Sequence, residues 1–300
     1  MSEFALSTTI DTLIELNDLK RITSAGRTGS IATRLFHDAW AALNNGASVD
    51  MVAGWITGRA LAAARLGDID RSVLVAAGVP EAHARAILLE AIEAVAGGPF
   101  AAVRPLVEGT VARELPGGDL PAPAFVAALS AQPRAGITCP GKPRIMLEPP
   151  ENHAEHCVVV AVYGVMLARS YGADPSRVFL AGLSHHFHNA GLPDSGFTGE
   201  VLLGGHLDTV MAHHNAACLH QLSPPLRDEV ERARAILPDA DTADGRTFHA
   251  ADVLDRVLQL NQYMRAAALT PARMLGEMEL VHAGPVKAFQ DDVLRRAGLL

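Results

Sequence analysis

Apolar residues recur every three to four positions along most of the chain, which is the period of an amphipathic α-helix. The first such segment covers 9–21, and its apolar face consists of Ile10, Leu13, Ile14, Leu16 and Leu19. The same period predicts further helices over 33–43, 49–66, 72–77, 80–95, 154–169, 175–190, 200–222, 225–236 and 247–265. No run of alternating β-branched residues predicts a strand, so the expected fold class is all-α.

Proline and glycine concentrate between the earlier and the later helices. Eight prolines and four glycines lie within 114–150, a composition typical of an irregular connection. One short helix is expected there, over 122–130. The pattern therefore predicts an N-terminal helical region over 1–130, a Pro-rich connection over 131–150 and a helical domain over 151–300. One continuous globule is the alternative.

Composition and charge narrow the classes of partner. The chain of 300 residues carries a formal net charge of −8 and has no Lys/Arg cluster beyond pairs, which disfavours nucleic acid and anionic membranes as partners. No apolar stretch is long enough to span a bilayer, and the N-terminus lacks the pattern of a secretory signal. Three scattered cysteines indicate reduced thiols and a cytoplasmic protein. Cys157 and Cys218 fall on apolar helix faces and are expected in the core.

Histidine is the unusual feature of the composition, with 13 residues concentrated in the second half of the chain. His156 opens one apolar helix, and the pair His185-His186 ends the next one. Asp252 lies on a later helix. Imidazole is the commonest metal ligand in proteins, and a helical bundle can bring side chains from three helices to one point in its core. This order of residues predicts a metal site.

The same order resembles the HD-domain superfamily of metal-dependent phosphohydrolases. The Ala-Glu-His-Cys stretch at 154–157 resembles the Ala-Glu-His-Ser of bacterial HD-fold 5′-deoxynucleotidases, and the Ala-Asp-Val-Leu-Asp stretch at 251–255 resembles the late aspartate motif. The resemblance covers about residues 145–270. It implies an HD-like helical bundle, preceded here by an additional helical region, with metal ligands at His156, His185 and Asp252.

Two positions depart from the family pattern. His186 stands where the family has aspartate, and Asn189 stands where the deoxynucleotidases carry glutamate. A carboxylate can bridge two metal ions, whereas an imidazole with one free lone pair ordinarily does not. The expected site therefore holds one divalent transition metal through His156, His185, His186 and Asp252. A nitrogen-rich set of this kind suits Fe, Mn, Zn, Co or Ni better than Mg or Ca. An HD fold that has lost its metal is the alternative.

Other candidate residues lie near these ligands in sequence. Asn189 occupies a catalytic position of the family but cannot shuttle a proton, which leaves Glu155 as one nearby acid. Arg256 lies one helical turn after Asp252 and could offset the charge of an anionic substrate, as could Lys142 or Arg144.

Further histidines are possible additional ligands or substrate contacts. His153 is expected to be a solvated residue at a helix start, with a substrate or ligand-supporting contact as the alternative. His206 and His213 are expected on one helix stripe, where either could supply an extra ligand or a phosphate contact. The alternative for both is a polar helix face.

The function implied by the resemblance is metal-dependent hydrolysis of a small phosphorylated metabolite or nucleotide. An HD-type iron-dependent oxygenase is one alternative, because the nitrogen-rich site allows it. A non-catalytic HD-fold protein that binds a ligand or a partner is the other. The expected partner is a small anionic molecule, and the Ala-rich helices permit a homodimer.

Overall fold

Thirteen α-helices account for most of the residues that the structure describes. The computed structural model describes residues 10–96, 103–111, 115, 119–238 and 240–266. The helices are α1 Ile10–Asn17, α2 Ile31–Asn44, α3 Val49–Leu66, α4 Arg71–Ala76, α5 Glu81–Ala96, α6 Arg104–Val111, α7 Ala124–Ala131, α8 His153–Tyr171, α9 Pro175–Ser184, α10 Gly196–Leu203, α11 Leu207–Leu219, α12 Pro224–Arg234 and α13 Ala243–Ala266. Within these ranges there is no β-strand, only isolated bridges. The predicted all-α fold class is confirmed.

Several helices end earlier than the apolar pattern predicts. The first helix gives way to a 3₁₀ turn at Asp18–Lys20, and α9 stops at Ser184 before a second 3₁₀ turn at Phe187–Ala190. The single helix predicted over 200–222 is two helices, α10 and α11, separated by a third 3₁₀ turn. Gly204 ends α10 with a φ of +50°, a conformation that glycine adopts without steric cost. Helix α6 was not predicted.

The longest buried surface belongs to α8, whose residues from His153 to Ala168 are all buried. Gly182 of α9 approaches α8 so closely that an added Cβ would lie 2.7 Å from the Ala161 Cα. The absence of a side chain at this crossing therefore lets the two helix backbones meet. Cys157 and Cys218 are buried in the core, as predicted.

Helices from both sides of the Pro-rich connection share one core. Trp40 of α2 packs against Phe125 of α7 and Phe187 of the second 3₁₀ turn, with ring centroids 5.0 and 5.4 Å apart. Among the described residues, the compact unit that ends at Leu258 includes residues 131–150.

The Pro-rich connection folds back onto the start of α8. The Arg134 amide donates to the Glu151 carbonyl at 2.8 Å, and the His153 amide donates to the Gln132 carbonyl at 3.1 Å. These two bonds hold residues 132–134 beside the first turn of α8. Among the helices that the structure describes, none is both long and apolar enough to cross a membrane.

Candidate metal centre

The first turn of α8 places His156 in the interior. Asn152 caps the helix by accepting a hydrogen bond from the Glu155 amide at 2.9 Å, and the Glu155 carboxylate accepts one from the Asn152 amide at 3.0 Å. This reciprocal capping box satisfies two of the free amides at the helix start. His156 follows directly and is fully buried.

The end of α9 supplies the histidine pair. Asp174 caps this helix and Pro175 opens it, an arrangement that suits the first helical turn. Arg234 of α12 donates to the Ser184 carbonyl, so the last turn of α9 is held from a neighbouring helix. His185 and His186 follow in the turn, and both are half-buried. Solvent therefore reaches the histidine cluster from this side.

Each of the three histidines donates its Nδ1 proton to an acceptor oxygen. His156 Nδ1 lies 2.7 Å from Asp255 Oδ2, and His185 Nδ1 lies 2.7 Å from the Gly182 carbonyl oxygen. His186 Nδ1 lies 2.9 Å from Asn189 Oδ1. The Asn189 amide is oriented by its own Nδ2, which donates to the Leu192 carbonyl at 3.2 Å. Because an acceptor faces each Nδ1, a neutral ring carries its proton there, and its Nε2 is then available as a ligand.

Ring nitrogens of the three histidines lie close together. The Nε2 atoms of His156 and His185 are 3.1 Å apart, and each of the three histidines presents a ring nitrogen within 4.8 Å of the others. Two ring nitrogens at this distance are joined either by a proton, as an N–H···N hydrogen bond, or by a cation that both of them coordinate. Ligand nitrogens about 2.1 Å from one ion lie roughly 3.0–3.4 Å from each other. The cluster could therefore hold a metal ion.

Burial disfavours the protonated, charged form of His185 and of His186. Burial lowers the pKa of His185 and His186 well below the ordinary value, and neighbouring histidines lower it further. Both imidazoles are therefore neutral at physiological pH and available as ligands. Neutral imidazole is the form that binds metals.

Asp252 of α13 lies at the edge of the cluster. Its Oδ1 is 3.3 Å from His156 Nε2, and its Oδ2 is 2.8 Å from Arg256 Nη2. Burial favours the neutral acid, but the interactions with His156 and with the Arg256 guanidinium outweigh burial and hold the Asp252 pKa below its usual range. The carboxylate is therefore charged and within reach of an ion bound to His156.

A second set of possible cation ligands lies on the Nδ1 side of His156, and the Lys20 ammonium occupies it. Glu151, His156 and Asp255 present ligand atoms within 4.8 Å of one another. The Lys20 ammonium lies between the two carboxylates, 2.6 and 2.8 Å from the Asp255 oxygens and also bonded to Glu151. Burial lowers the Lys20 pKa, but Asp255 and Glu151 outweigh it, so the net shift is upward. A lysine cation thus occupies this position.

Asp255 connects the N-terminal helices to the three-histidine cluster. It is fully buried and, besides Lys20 and His156, accepts a hydrogen bond from Asn17 Nδ2 at 2.9 Å. A carboxylate bonded to the far nitrogen of a ligating histidine fixes the tautomer and raises the basicity of the ligand. The sequence analysis missed this role. The available signal was the three-residue spacing from Asp252, which places both aspartates on one face of α13.

The expected solvation of His153 is wrong, and Glu155 has structural partners. His153, expected to be solvated, is fully buried, with its ring centroid 4.7 Å from that of His186. The reason is the fold-back of residues 132–134 over the helix start. Glu155, considered as an acid near the metal, is used by the capping box and by Ser30, whose hydroxyl donates to its Oε1 at 2.6 Å. Its carboxylate therefore links the start of α8 to the start of α2.

The remaining candidates fall into two groups. Asn189 orients His186, and Arg256 pairs with Asp252 while 55% of its side chain stays exposed. His206 and His213 are exposed and lie on separate elements, the third 3₁₀ turn and α11. Among the described residues, three histidines could jointly hold an ion, and neither His206 nor His213 is one of them. Their position fits the polar-face alternative.

No known protein family, curated protein or solved structure matches this chain.

Proposed function

We propose that the chain binds one divalent transition metal and uses it to hydrolyse a phosphate ester in a small anionic molecule. The ligands are the Nε2 atoms of His156, His185 and His186, with the Asp252 carboxylate as the fourth. The observation that carries the proposal is the convergence of one ring nitrogen from each of the three histidines, with an acceptor oxygen beside each Nδ1.

The donor set fits a single ion. Three imidazoles and one carboxylate suit Fe, Mn, Zn, Co or Ni better than the oxygen-seeking Mg and Ca. His186 donates its Nδ1 proton to Asn189, so it has one lone pair to offer and cannot bridge two ions. The Lys20 ammonium fills the neighbouring acidic group, where a second cation would otherwise be favoured.

The protein's own contribution to the reaction is to position and polarise groups around that ion. When bound, such a metal supplies Lewis acidity and lowers the pKa of a coordinated water. Asp255 holds the His156 proton at Nδ1 and keeps Nε2 free for ligation. Arg256 reaches solvent beside Asp252, where its charge can attract an anionic substrate and offset the charge of a phosphoryl group.

The HD-type resemblance supports this reaction class. The ligands come in the order of that superfamily, from one helix, from the end of the next helix and from a later helix, and the fold is all-α. Loss of the family's acidic residue at Asn189 means that proton transfer to the leaving group must come from solvent or from the substrate itself.

An iron-dependent oxygenase is the second candidate. His156, His185 and Asp252 include the two imidazoles and one carboxylate that non-haem iron enzymes commonly use, and His156 contacts both of the others. Oxygen uptake by the iron-loaded protein separates this candidate from a hydrolase.

The test is a phosphatase screen with protein reconstituted separately with each metal. Wild-type protein should release inorganic phosphate from at least one phosphomonoester in a panel of nucleotides and sugar phosphates. His185→Ala should abolish the release, while His213→Ala, at an exposed histidine of α11, should retain it. Turnover that is equal in wild type and His185→Ala would refute the proposal.

A further inference from the structure

Two neighbouring side chains carry buried nitrogens without hydrogen-bond partners. They are Arg134, through Nη1, and His153, through both ring nitrogens. The closest carboxylate to His153 belongs to Asp194, whose Oδ2 lies 3.4 Å from Nε2 outside hydrogen-bond geometry. More than 90% of buried polar groups in proteins are paired, so exceptions point to a missing ligand, ion or water.

Both side chains flank the three-histidine cluster. The His153 ring is 4.7 Å from the His186 ring between centroids. Arg134 Nε is 3.8 Å from Glu151 Oε2, and the Glu151 carboxylate presents an oxygen within 4.8 Å of a His156 ring nitrogen. The main-chain hydrogen bond from the Arg134 amide to the Glu151 carbonyl, at 2.8 Å, places Arg134 beside the first turn of α8, which carries His153 and His156.

Other cations around the cluster already have partners. Lys20 is held by Asp255 and Glu151, and Arg256 pairs with Asp252. The Arg144 guanidinium donates to the backbone carbonyls of Ala135 and Ser195, at 3.1 Å each. Arg134 differs from them because its contact with Glu151 is long, and Glu151 is bonded more closely to Lys20.

We infer that Arg134 binds the phosphoryl group of the substrate at the metal centre, with His153 as a second polar contact. This inference rests on the proposed function and adds its substrate class, a phosphate monoester whose charged end enters beside α8. The planar guanidinium offers two parallel N–H donors that match phosphate oxygens. The hydrogen bond from the Arg134 amide to the Glu151 carbonyl fixes the backbone position from which the guanidinium extends.

The experiment is calorimetric titration of inorganic phosphate into metal-loaded protein freed of excess metal. Arg134→Gln should weaken phosphate binding roughly ten- to hundredfold, the range expected for lost charge-assisted hydrogen bonds, with the metal content unchanged. Arg169→Gln, at an exposed arginine near the other end of α8, should bind phosphate as wild type does. Acetate should bind much more weakly than phosphate to wild type.

Three results would overturn the inference. They are unchanged phosphate affinity in Arg134→Gln, an equal loss in Arg169→Gln, and equal affinity of wild type for acetate and phosphate. Wild-type protein that holds no metal would instead defeat the proposed function itself.

A measurement on wild-type protein covers the case in which Arg134→Gln does not fold. The Arg134 side chain keeps 22% exposure, so phenylglyoxal can modify it, and mass spectrometry of the peptide reports the extent. Phosphate should protect Arg134 in the metal-loaded protein and leave Arg169 unprotected. Equal modification of Arg134 with and without phosphate would contradict the inference.

Discussion

Replacing Asp255 with asparagine tests the network that joins the N-terminal helices to the three-histidine cluster. The carboxylate is fully buried and accepts hydrogen bonds from Asn17, Lys20 and His156. Asparagine has nearly the same shape but no charge and only one acceptor oxygen. Asp255→Asn therefore leaves the Lys20 ammonium buried with Glu151 as its remaining carboxylate partner.

The expected loss of stability follows from these contacts. Breaking a buried ion pair by removing one partner costs about 3–5 kcal/mol. Because the amide retains one acceptor and Glu151 still faces Lys20, we expect the lower end, about 3 kcal/mol. Burial raises the Asp255 pKa, but Lys20 and His156 outweigh it, so the net shift is downward. A depressed pKa means that this stabilisation is present at pH 7 and is lost as the pH falls below the ordinary carboxyl value.

The assay is urea unfolding of metal-free protein at pH 7, with tryptophan fluorescence as the signal. Trp40 is fully buried and reports loss of the core. Metal must be absent because a ligand that binds only the folded state adds its own stabilisation. Asp228→Asn, at an exposed aspartate of α12, should change the free energy of unfolding by less than about 0.5 kcal/mol. A loss below about 1 kcal/mol in Asp255→Asn would refute the reasoning, since an unpaired buried charge costs more than that.

Three other substitutions probe the cap of α8, the α8–α9 crossing and an acidic residue away from the centre. Glu155→Gln should lower the unfolding free energy by about 1 kcal/mol and leave the metal content, measured by elemental analysis, unchanged; loss of metal would show that Glu155 supports the metal ligands as well as the helix start. Gly182→Ala brings a Cβ within 2.7 Å of the Ala161 Cα and should cost about 1–3 kcal/mol and weaken metal affinity, whereas Gly205→Ala, which meets open space, should do neither. Burial raises the Asp70 pKa, but hydrogen bonds from Arg27 and neighbouring groups outweigh it and hold the pKa below the usual range. Asp70 therefore stabilises the fold above the ordinary carboxyl pKa, and the stability difference between wild type and Asp70→Asn should shrink between pH 7 and pH 3; a constant difference would contradict this.

The helices were predictable because local signals coincide with the apolar period. Asn152, Asp174 and Ser30 cap their helices with side-chain oxygens, and the period continues from each cap. The break at Gly204 was missed because the apolar period resumes at Leu207, in step with the residues before the break. The two helices are separated by the 3₁₀ turn Gly204–His206, which begins at the positive φ of Gly204.

The site could be predicted in part, for a similar reason. His156 and the pair His185-His186 lie on segments with strong helical patterns, and the structure brings all three together. The partners that fix their protons were harder to find. Lys20 and Asp255 are 235 positions apart, so no local pattern connects them. The burial of His153 depends on the fold-back of the Pro-rich connection, which has no regular period.

We propose that the three-histidine cluster holds one metal ion. The most direct test is elemental analysis of protein prepared without an affinity tag or chelator and dialysed to equilibrium against each candidate metal. Wild type should hold about one Fe, Mn, Zn, Co or Ni per chain, and His185→Ala/Asp252→Ala should hold essentially none while remaining folded. Wild-type protein that takes up no metal, or a double variant that binds as much as wild type, would contradict the account.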